Sequence, residues 1–200
     1  AAQGLLGKVY MHLGNFTSAE TQLANVINGA ADAGIALQAN FADIFGGKGE
    51  DDDGSENDLN PEILFATQLS TSVPSAYGFT GFPGWFSGGD TKSLEPLDQD
   101  LIAAFDAVAS DTLPSGDLRR AHTIDEASNT GPKWGGLDQD WIELRLADVI
   151  LMYAEALNEN GNTSGALIEL NKIRSRAGLE DSTASGQADV RQAIQDERRL

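Results

Sequence analysis

Apolar residues recur with helical spacing near the start of the chain. The first stretch carries apolar side chains on one face, at Leu5, Leu6, Val9, Tyr10 and Leu13. After Gly14 and Asn15 interrupt the pattern, a second stretch carries Phe16, Ala19, Leu23, Val26 and Ile27. Steps of three or four residues predict amphipathic helices within residues 1–45, joined at Gly14.

The last sixty residues repeat this pattern. Residues 141–176 predict helices whose apolar positions are Trp141, Leu144, Ala147, Leu151, Ala154, Ala166, Leu167, Leu170 and Ile173. The run of Asn162, Thr163 and Ser164 between them is typical of a helix start. A last amphipathic helix is predicted over residues 188–199. Trp141 opens this pattern and is therefore interpreted as a core residue.

The middle of the chain is different. Residues 46–140 are rich in Gly, Pro, Asp and Asn, and predict only a strand over 63–69 and a helix over 96–107. A stretch this long with so little regular structure is usually functional. We therefore expect one domain in three parts: a helical hairpin (1–45), a loop-rich excursion forming the ligand face (46–140), and a helical hairpin with the start of a further helix (141–200).

The two helical parts are related by an internal repeat. A shift of 147 residues aligns Gly7 with Ala154, Tyr10 with Leu157, Gly14 with Gly161, Ala19 with Ala166, Leu23 with Leu170 and Val26 with Ile173. Small residues at a helix crossing and a glycine at the turn are features of tetratricopeptide hairpins. The sequence thus predicts a mostly α fold in which two such hairpins pack together across the excursion.

One segment of the excursion combines aromatic and glycine residues. Residues 74–90 hold five of the 14 aromatic side chains, Tyr77, Phe79, Phe82, Trp85 and Phe86, together with five glycines. Aromatic faces on a loop are flat apolar surfaces that lose little rotamer entropy, and sugar rings stack on such faces. Trp134, in the glycine-rich run 131–136, is a further candidate. The alternative is that these rings only attach the loop to the helices.

Charge limits the classes of partner. The chain has 13 basic and 31 acidic side chains, a net charge of −18. Such a surface repels polyphosphate, so we expect no nucleic-acid partner. The absence of cysteine excludes disulfides, thiolate metal sites and a cysteine nucleophile. Part of the acidic excess lies in residues 50–58, which we interpret as a solvated loop.

That acidic run does not follow a calcium-binding template. When Gly54 takes the place of the invariant glycine of an EF-hand loop, Gly49 and Asn60 fall at positions that require Asp and Glu. The sequence therefore rejects an EF-hand and leaves weak calcium binding open.

Nothing in the sequence predicts catalysis or a cofactor. Both histidines, His12 and His122, lack a partner motif, and no HExxH, GxSxG or phosphate-binding glycine motif occurs. We expect no metal site. Carboxylates on the helices are interpreted as surface ion pairs, with Asp148 and Glu155 pairing with Arg145, Lys172, Arg174 and Arg176. An enzyme is therefore not expected.

Three C-terminal motifs resemble those of SusD/RagB-like proteins. Residues 141–159 (WIELRLADVILMYAEALNE) resemble the helix R-x-A-E-V-x-L-x-Y-A-E-A of that family, with Asp148 in place of the usual Glu. Residues 171–179 (NKIRSRAGL) are similar to its helix end L-N-x-I-R-x-R-A-G, and residues 197–199 to its E-R-R helix start. Further upstream, residues 60–65 (NPEILF), residues 117–120 (DLRR) and the helical repeat 2–27 also resemble family landmarks.

The resemblance implies a fold and a function. The fold would be a SusD-like α/α superhelix, and the protein would bind oligosaccharide, or peptide in some members, at the outer face of the outer membrane of Bacteroidetes-type bacteria. It would pass its ligand to a SusC-like TonB-dependent transporter. The family's lipid-bearing cysteine is absent here, so we expect an internal fragment of a lipid-anchored protein. The alternative function is a protein-interaction scaffold of the tetratricopeptide type.

Overall fold

Helices dominate the structure, a computed structural model that describes residues 1–45, 60–67, 97–108, 116–133 and 140–200. The described elements are, in chain order, α1 (Ala2–His12), α2 (Phe16–Gly29), a 3-10 turn (Phe41–Ile44), β1 (Ile63–Thr67), α3 (Gln99–Ala107), the short α4 (Arg120–Thr123), β2 (Trp141–Arg145), α5 (Leu146–Glu159), α6 (Thr163–Arg176) and α7 (Gln187–Arg199). The two strands pair with each other. The predicted fold class, mostly α and built on helix hairpins, is confirmed.

The chain divides into two compact units. The helical unit comprises Ala1–Leu37, Pro61–Phe65 and Leu144–Leu200, and it contains α1, α2, α5, α6 and α7. The irregular unit comprises Gln38–Asn60 and Ala66–Glu143, and it contains the 3-10 turn, α3 and α4.

A tight turn joins α1 to α2. The Gly14 amide donates to the Met11 carbonyl at 3.0 Å, and the Asn15 amide donates to the Tyr10 carbonyl at 2.9 Å. Gly14 has a φ of +68°, which favours glycine because a Cβ would crowd the backbone. The Asn15 side chain accepts from the Ser18 amide at 3.1 Å and so caps α2.

The turn between α5 and α6 has the same hydrogen bonds. The Gly161 amide donates to the Asn158 carbonyl at 3.0 Å, and the Asn162 amide donates to the Leu157 carbonyl at 2.8 Å. Gly161 has a φ of +89°, and the Asn162 side chain accepts from the Gly165 amide at 3.0 Å. Every one of these contacts lies 147 residues beyond its counterpart in the first hairpin. The predicted repeat is confirmed.

Small residues let the helices of each hairpin cross closely. Gly7 is buried against α2, where a Cβ added to it would lie 2.6 Å from Cδ2 of Leu23. The equivalent residues of the second hairpin, Ala154 and Leu170, are both fully buried. Close approach in the first hairpin therefore requires the absence of a Cβ.

The two hairpins share a continuous core, as predicted, because α2 packs against α5. Buried residues from both form one cluster: Ala19, Leu23, Val26, Leu144, Val149, Met152 and Ala156. On its other sides α5 packs against α6 and α7, with Val190 and Ile194 of α7 fully buried in a second cluster. Helix α5 is thus the centre of the helical unit.

Tyr10 of α1 packs against this core, but the leucine and valine side chains of the predicted apolar face stay exposed. Its exposed fractions are 38% for Leu5, 40% for Leu6, 51% for Val9 and 73% for Leu13. Helix α1 instead buries its glycine face, in which a Cβ on Gly4 would lie 2.8 Å from Cδ2 of Leu144.

Residues 141–145 form strand β2, so the prediction of a helix beginning at Trp141 is wrong. Ile142 and Leu144 alternate with the polar Glu143 and Arg145, which is the pattern of a strand. Helix α5 begins at Leu146. Trp141 is only half-buried and does not lie in the core as predicted.

The other predicted elements agree with the structure within their described parts. Strand β1 covers residues 63–67 of the predicted 63–69, and α7 begins one residue before the predicted position 188. Helix α3 begins at Gln99 because the Asp98 side chain caps it by accepting from the Asp100 amide at 2.7 Å. Residues 197–199, likened to a helix start, form the last turn of α7.

Candidate functional site

All the aromatic residues predicted to contact a ligand lie outside the described residues: Tyr77, Phe79, Phe82, Trp85, Phe86 and Trp134. The acidic run 50–58 lies outside them as well. These assignments stay predictions. The described residues that flank them show which polar groups of the irregular unit are already engaged.

An aromatic cluster anchors the start of the irregular unit. The 3-10 turn buries Phe41, Ile44 and Phe45, and Ile142 packs against them. The rings of Phe41 and Phe45 lie 5.1 Å apart at 60°, a tilted arrangement that aromatic pairs favour. The Lys133 Nζ lies 5.6 Å from the centre of the Phe45 ring, within range of a cation–π interaction. Residue 133, next to the predicted ligand residue Trp134, is therefore fixed over Phe45.

A hydrogen bond joins the described residues on either side of segment 46–59. Asn60 Nδ2 donates to the carbonyl of Ile44 at 2.9 Å. Asn40 adds a bond within the same turn, from its Nδ2 to Asp43 Oδ2 at 3.0 Å. These bonds hold together the described residues that precede and follow the acidic run.

A buried ion pair lies in the landmark 117–120. Arg119 Nε donates to Asp117 Oδ1 at 2.9 Å, and Arg119 Nη2 donates to Asp117 Oδ2 at 2.6 Å. The Arg119 amide also donates to Oδ1 at 2.9 Å. The exposed fractions of the Arg119 and Asp117 side chains are 4% and 0%. A two-bond pair of this kind is strong, so the Arg119 charge is committed to Asp117.

The next residue, Arg120, links two parts of the irregular unit. Its Nη2 donates to Glu126 Oε1 at 2.6 Å, and its Nε donates to Asp106 Oδ1 of α3 at 2.9 Å. The hydrogen bonds to Glu126 and then Asp106 raise the pKa of Arg120. Its guanidinium is thus shared between two carboxylates.

A buried polar site in the helical unit surrounds Glu62, which sequence reasoning did not single out. The Glu62 carboxylate is fully buried and accepts from Arg145 Nη1 at 2.9 Å and from Arg176 Nη1 at 2.6 Å. Its backbone carbonyl accepts from the Leu146 amide at 2.8 Å. Glu62 thereby joins β1 to the start of α5 and the end of α6. The only sequence signal was its place in the landmark 60–65.

Two positive charges meet one negative charge at this site. Desolvation lowers the pKa of Arg145, the attraction of Glu62 opposes that shift, and the charge of Arg176 adds to it. The arrangement is structural rather than catalytic because the carboxylate is fully buried and occupied by two guanidinium groups.

The predicted pairing of helix charges is wrong in its partners. Arg198 of α7 pairs with Glu155 at 2.8 Å and with Asp148 at 3.5 Å, and Lys8 lies 3.6 Å from Asp148. The predicted partners are engaged elsewhere: Arg145 and Arg176 with Glu62, Arg174 with Glu197, and Lys172 with Glu169. Spacing along one helix shows which charges share a face but not which helix packs on that face.

No metal centre is found among the residues that the structure describes. His12 and His122 are both exposed, and no group of three carboxylate or imidazole side chains converges within the described ranges. Among the described helices, none is both long and apolar enough to cross a bilayer.

Within the described residues, the geometry defines a class of protein: a helical-repeat protein built on two hairpins of the tetratricopeptide type. Residues 112–200 match the model of the SusD family. This part of the chain is therefore SusD/RagB-like, as its C-terminal motifs indicated. No curated protein matches it.

Solved structures share the fold. A SusD superfamily protein from Bacteroides thetaiotaomicron superimposes with a TM-score of 0.72 at 24% identity, over 100% of this chain and 46% of its own. A SusD-like protein from Bacteroides fragilis gives 0.68 at 21% identity, over 100% and 50%. A SusD-like carbohydrate binding protein from Bacteroides vulgatus gives 0.61 at 18% identity, over 98% and 41%. The chain therefore spans half or less of the length of these proteins.

Proposed function

We propose that this chain is part of a cell-surface protein that binds oligosaccharide and delivers it for import, with no catalysis of its own. The observation that carries the proposal is its likeness, over nearly the whole chain, to a structure described as a SusD-like carbohydrate binding protein. The match of residues 112–200 to the SusD family model supports it from the sequence.

The ligand contacts in this proposal come from the aromatic residues of the excursion. Tyr77, Trp85 and Phe86 would stack on sugar rings first, with Phe79, Phe82 and Trp134 as further contacts. Stacking on an aromatic face is worth roughly 1 kcal/mol or more per ring when the contact excludes water. Asn, Asp and Ser side chains of the same segments would bond the hydroxyl groups.

The proposed partner and location follow from the resemblance to SusD/RagB-like proteins. The complete protein would be lipid-anchored at the outer face of the outer membrane and would act with a SusC-like TonB-dependent transporter. The helical unit would provide the rigid scaffold from which the loops reach the ligand. The three structures named above come from Bacteroides species, which supports this setting.

Calorimetric titration with oligosaccharide panels tests the proposal. We expect Trp85→Ala, Tyr77→Ala and Trp134→Ala each to weaken binding about tenfold, the equivalent of one lost stacking contact. Phe65→Ala on β1 is the matched control, because Phe65 is 45% exposed and belongs to none of the aromatic segments. Undiminished binding in all three variants would refute the stacking contacts. Binding of peptides but of no glycan would show that the ligand is a peptide and not an oligosaccharide.

A second function, a protein-interaction scaffold, is favoured by one observation. Leu5, Leu6, Val9 and Leu13 form an exposed apolar face along α1, and large exposed apolar surfaces mark interaction sites. Replacing Leu6 and Val9 with Ser should then abolish co-purification of the full-length protein with its partner while glycan binding persists. Loss of glycan binding alone, with the partner retained, would argue against this role.

A further inference from the structure

The internal repeat indicates which neighbours a helix of each hairpin should have. Helix α2 (Phe16–Gly29) coincides with α6 (Thr163–Arg176) after a shift of 147 residues, and α1 packs on α2 as α5 packs on α6. Outside its own hairpin, α5 contacts α7 and both helices of the first hairpin, α1 and α2. Helix α1 contacts α5, but no described hairpin packs on α1 in the way that the first hairpin packs on α5.

The face of α1 that lacks this cover is apolar. Met152 and Ala156 of α5 are buried in one cluster with apolar residues of α2. Their counterparts in α1, Leu5 and Val9, are exposed, and so is Leu13 one turn further along. Terminal repeats of a helical array carry a polar outer face, because that side meets water. The first hairpin therefore has the outer face of an internal repeat.

We infer that a further helical hairpin of the same polypeptide, from the part of the full-length protein outside these 200 residues, packs on this face of α1. Its second helix covers Leu5 and Val9 in the way that α2 covers their counterparts on α5. The matched structures leave room for such a hairpin, because this chain spans half or less of their length. In the 200 residues alone the face stays exposed.

The size of the face favours a segment of the same polypeptide over a separate molecule. Four large apolar side chains are exposed along α1, whereas a standard protein–protein interface uses about 20–30 residues on each side. So small a contact cannot alone offset the translational and rotational entropy that two separate molecules lose on association. A tethered segment meets the face at a high effective concentration and loses less.

The absence of cysteine from these 200 residues makes thiol labelling a direct test. In the full-length protein, with any other cysteine replaced, Val9→Cys places a thiol on the face. Thr21→Cys on α2 is the matched control, because Thr21 is exposed and its counterpart Ile168 stays exposed although the first hairpin packs on the second. We expect maleimide to label the Val9→Cys variant at least about tenfold more slowly than the control, since a covered thiol reacts only after local opening. In denaturant the two should react alike.

Photo-crosslinking identifies what covers the face. A diazirine amino acid in place of Leu6 or Leu13 would react with the nearest segment of the full-length protein. A mixture of isotope-labelled and unlabelled protein separates cross-links within one molecule from those between molecules. We expect cross-links within one molecule, to peptides outside these 200 residues, at positions with the three-and-four spacing of one helix face.

The other outcomes overturn the inference. Equal labelling of the Val9→Cys and Thr21→Cys variants in the purified full-length protein would leave the face free for a separate partner, the second function above. Cross-links between molecules would assign the face to a second copy, and cross-links within residues 14–200 would assign it to this chain itself. Glycan binding does not depend on any of these results, so the proposed function stands or fails separately.

Discussion

The two hairpins have the same turn but opposite surroundings. Met152 and Ala156 of α5 lie 147 residues beyond Leu5 and Val9 of α1. Met152 and Ala156 are fully buried, whereas Leu5 and Val9 are 38% and 51% exposed. Helix α5 is covered by α2, α6 and α7, while α1 packs mainly on α2.

The difference shows that hairpin geometry and hairpin burial are set independently. The turn depends on local chemistry: a glycine at positive φ followed by a capping asparagine. Burial depends on which neighbours a helix meets in the fold. The second hairpin also has buried polar anchors, Glu62 with Arg176 and Asn158 with the Gln187 carbonyl, while the described bonds of the first hairpin's side chains to other elements are exposed. Five predictions test this contrast, from the largest expected effect to the smallest.

Removal of the buried anchor should have the largest effect. Glu62→Leu leaves Arg145 and Arg176 without their shared carboxylate, and we expect a loss of about 3–5 kcal/mol in the free energy of unfolding. The matched change in the first hairpin, Glu20→Leu, removes an exposed bond to Asn160 Nδ2 and should cost at most about 1 kcal/mol. Urea denaturation measures both. Equal losses would show that the two hairpins are anchored alike.

Equivalent apolar positions should respond differently. Met152→Ala should cost about 2–5 kcal/mol because it opens a cavity in the shared core. Leu5→Ala, at the equivalent position of α1, should change the free energy of unfolding by no more than about 0.5 kcal/mol. Thermal and chemical denaturation would check both. A large loss for Leu5→Ala would mean that its face is covered.

The two helix crossings carry different small residues, glycine in the first hairpin and alanine in the second, and exchanging either one for the other should lower stability. In Gly7→Ala the new Cβ meets Leu23, which is fully buried, and the strain should outweigh the gain in helix propensity for a net loss of about 1–2 kcal/mol. The counterpart Ala154→Gly should cost about 1–2 kcal/mol, because it lowers helix propensity and removes a buried methyl group. Chemical denaturation of Gly7→Ala and Ala154→Gly measures both changes in the free energy of unfolding. Gly29→Ala is the control, because a Cβ added there would meet no atom within 4 Å. A stabilised Gly7→Ala variant would contradict the close crossing.

The two asparagine helix caps should contribute equally to the free energy of unfolding. Asn15→Ala and Asn162→Ala each remove one side-chain bond to a backbone amide three residues later, and each should cost about 1 kcal/mol. Matched denaturation curves of the single and double variants measure this. Costs that differ by more than about 1 kcal/mol would show that the turns are not energetically equivalent.

The smallest effect should be a pH dependence specific to the second hairpin. Hydrogen bonds from Arg191 lower the pKa of Glu159 below its ordinary value of 4.5. The pair therefore stabilises the fold at neutral pH, and its contribution is lost as the pH falls below about 4.5 towards the lowered pKa. Arg191→Gln should lower stability at pH 7, and its difference from the unchanged chain should vanish in acid.

The equivalent position in the first hairpin is the exposed His12, so His12→Gln is the control and should leave the acid limb of the stability curve unchanged. An identical acid limb for Arg191→Gln and the unchanged chain would show that the Glu159 pair adds no pH-dependent stability.

Local signals predicted much of the fold. The glycine turns, the asparagine caps and the three-and-four spacing identified both hairpins and α7, because these features act over a few residues. The same spacing misread residues 141–145, where alternation and pairing with β1 produced a strand. Glu62 was noted only as part of a motif, because its partners Arg145 and Arg176 lie 83 and 114 residues away. The aromatic candidates, drawn from composition alone, stay predictions.

By itself, the sequence determined the repeat, its turns, the acidic balance and the SusD/RagB-like motifs. Tertiary structure decided the rest: that α5 is central and α1 peripheral, that α1 packs through its glycines rather than its leucines, and that Glu62 unites three elements. The physical reason is range. Turns and caps are made by neighbours along the chain, whereas burial and ion pairing depend on segments that meet only after folding.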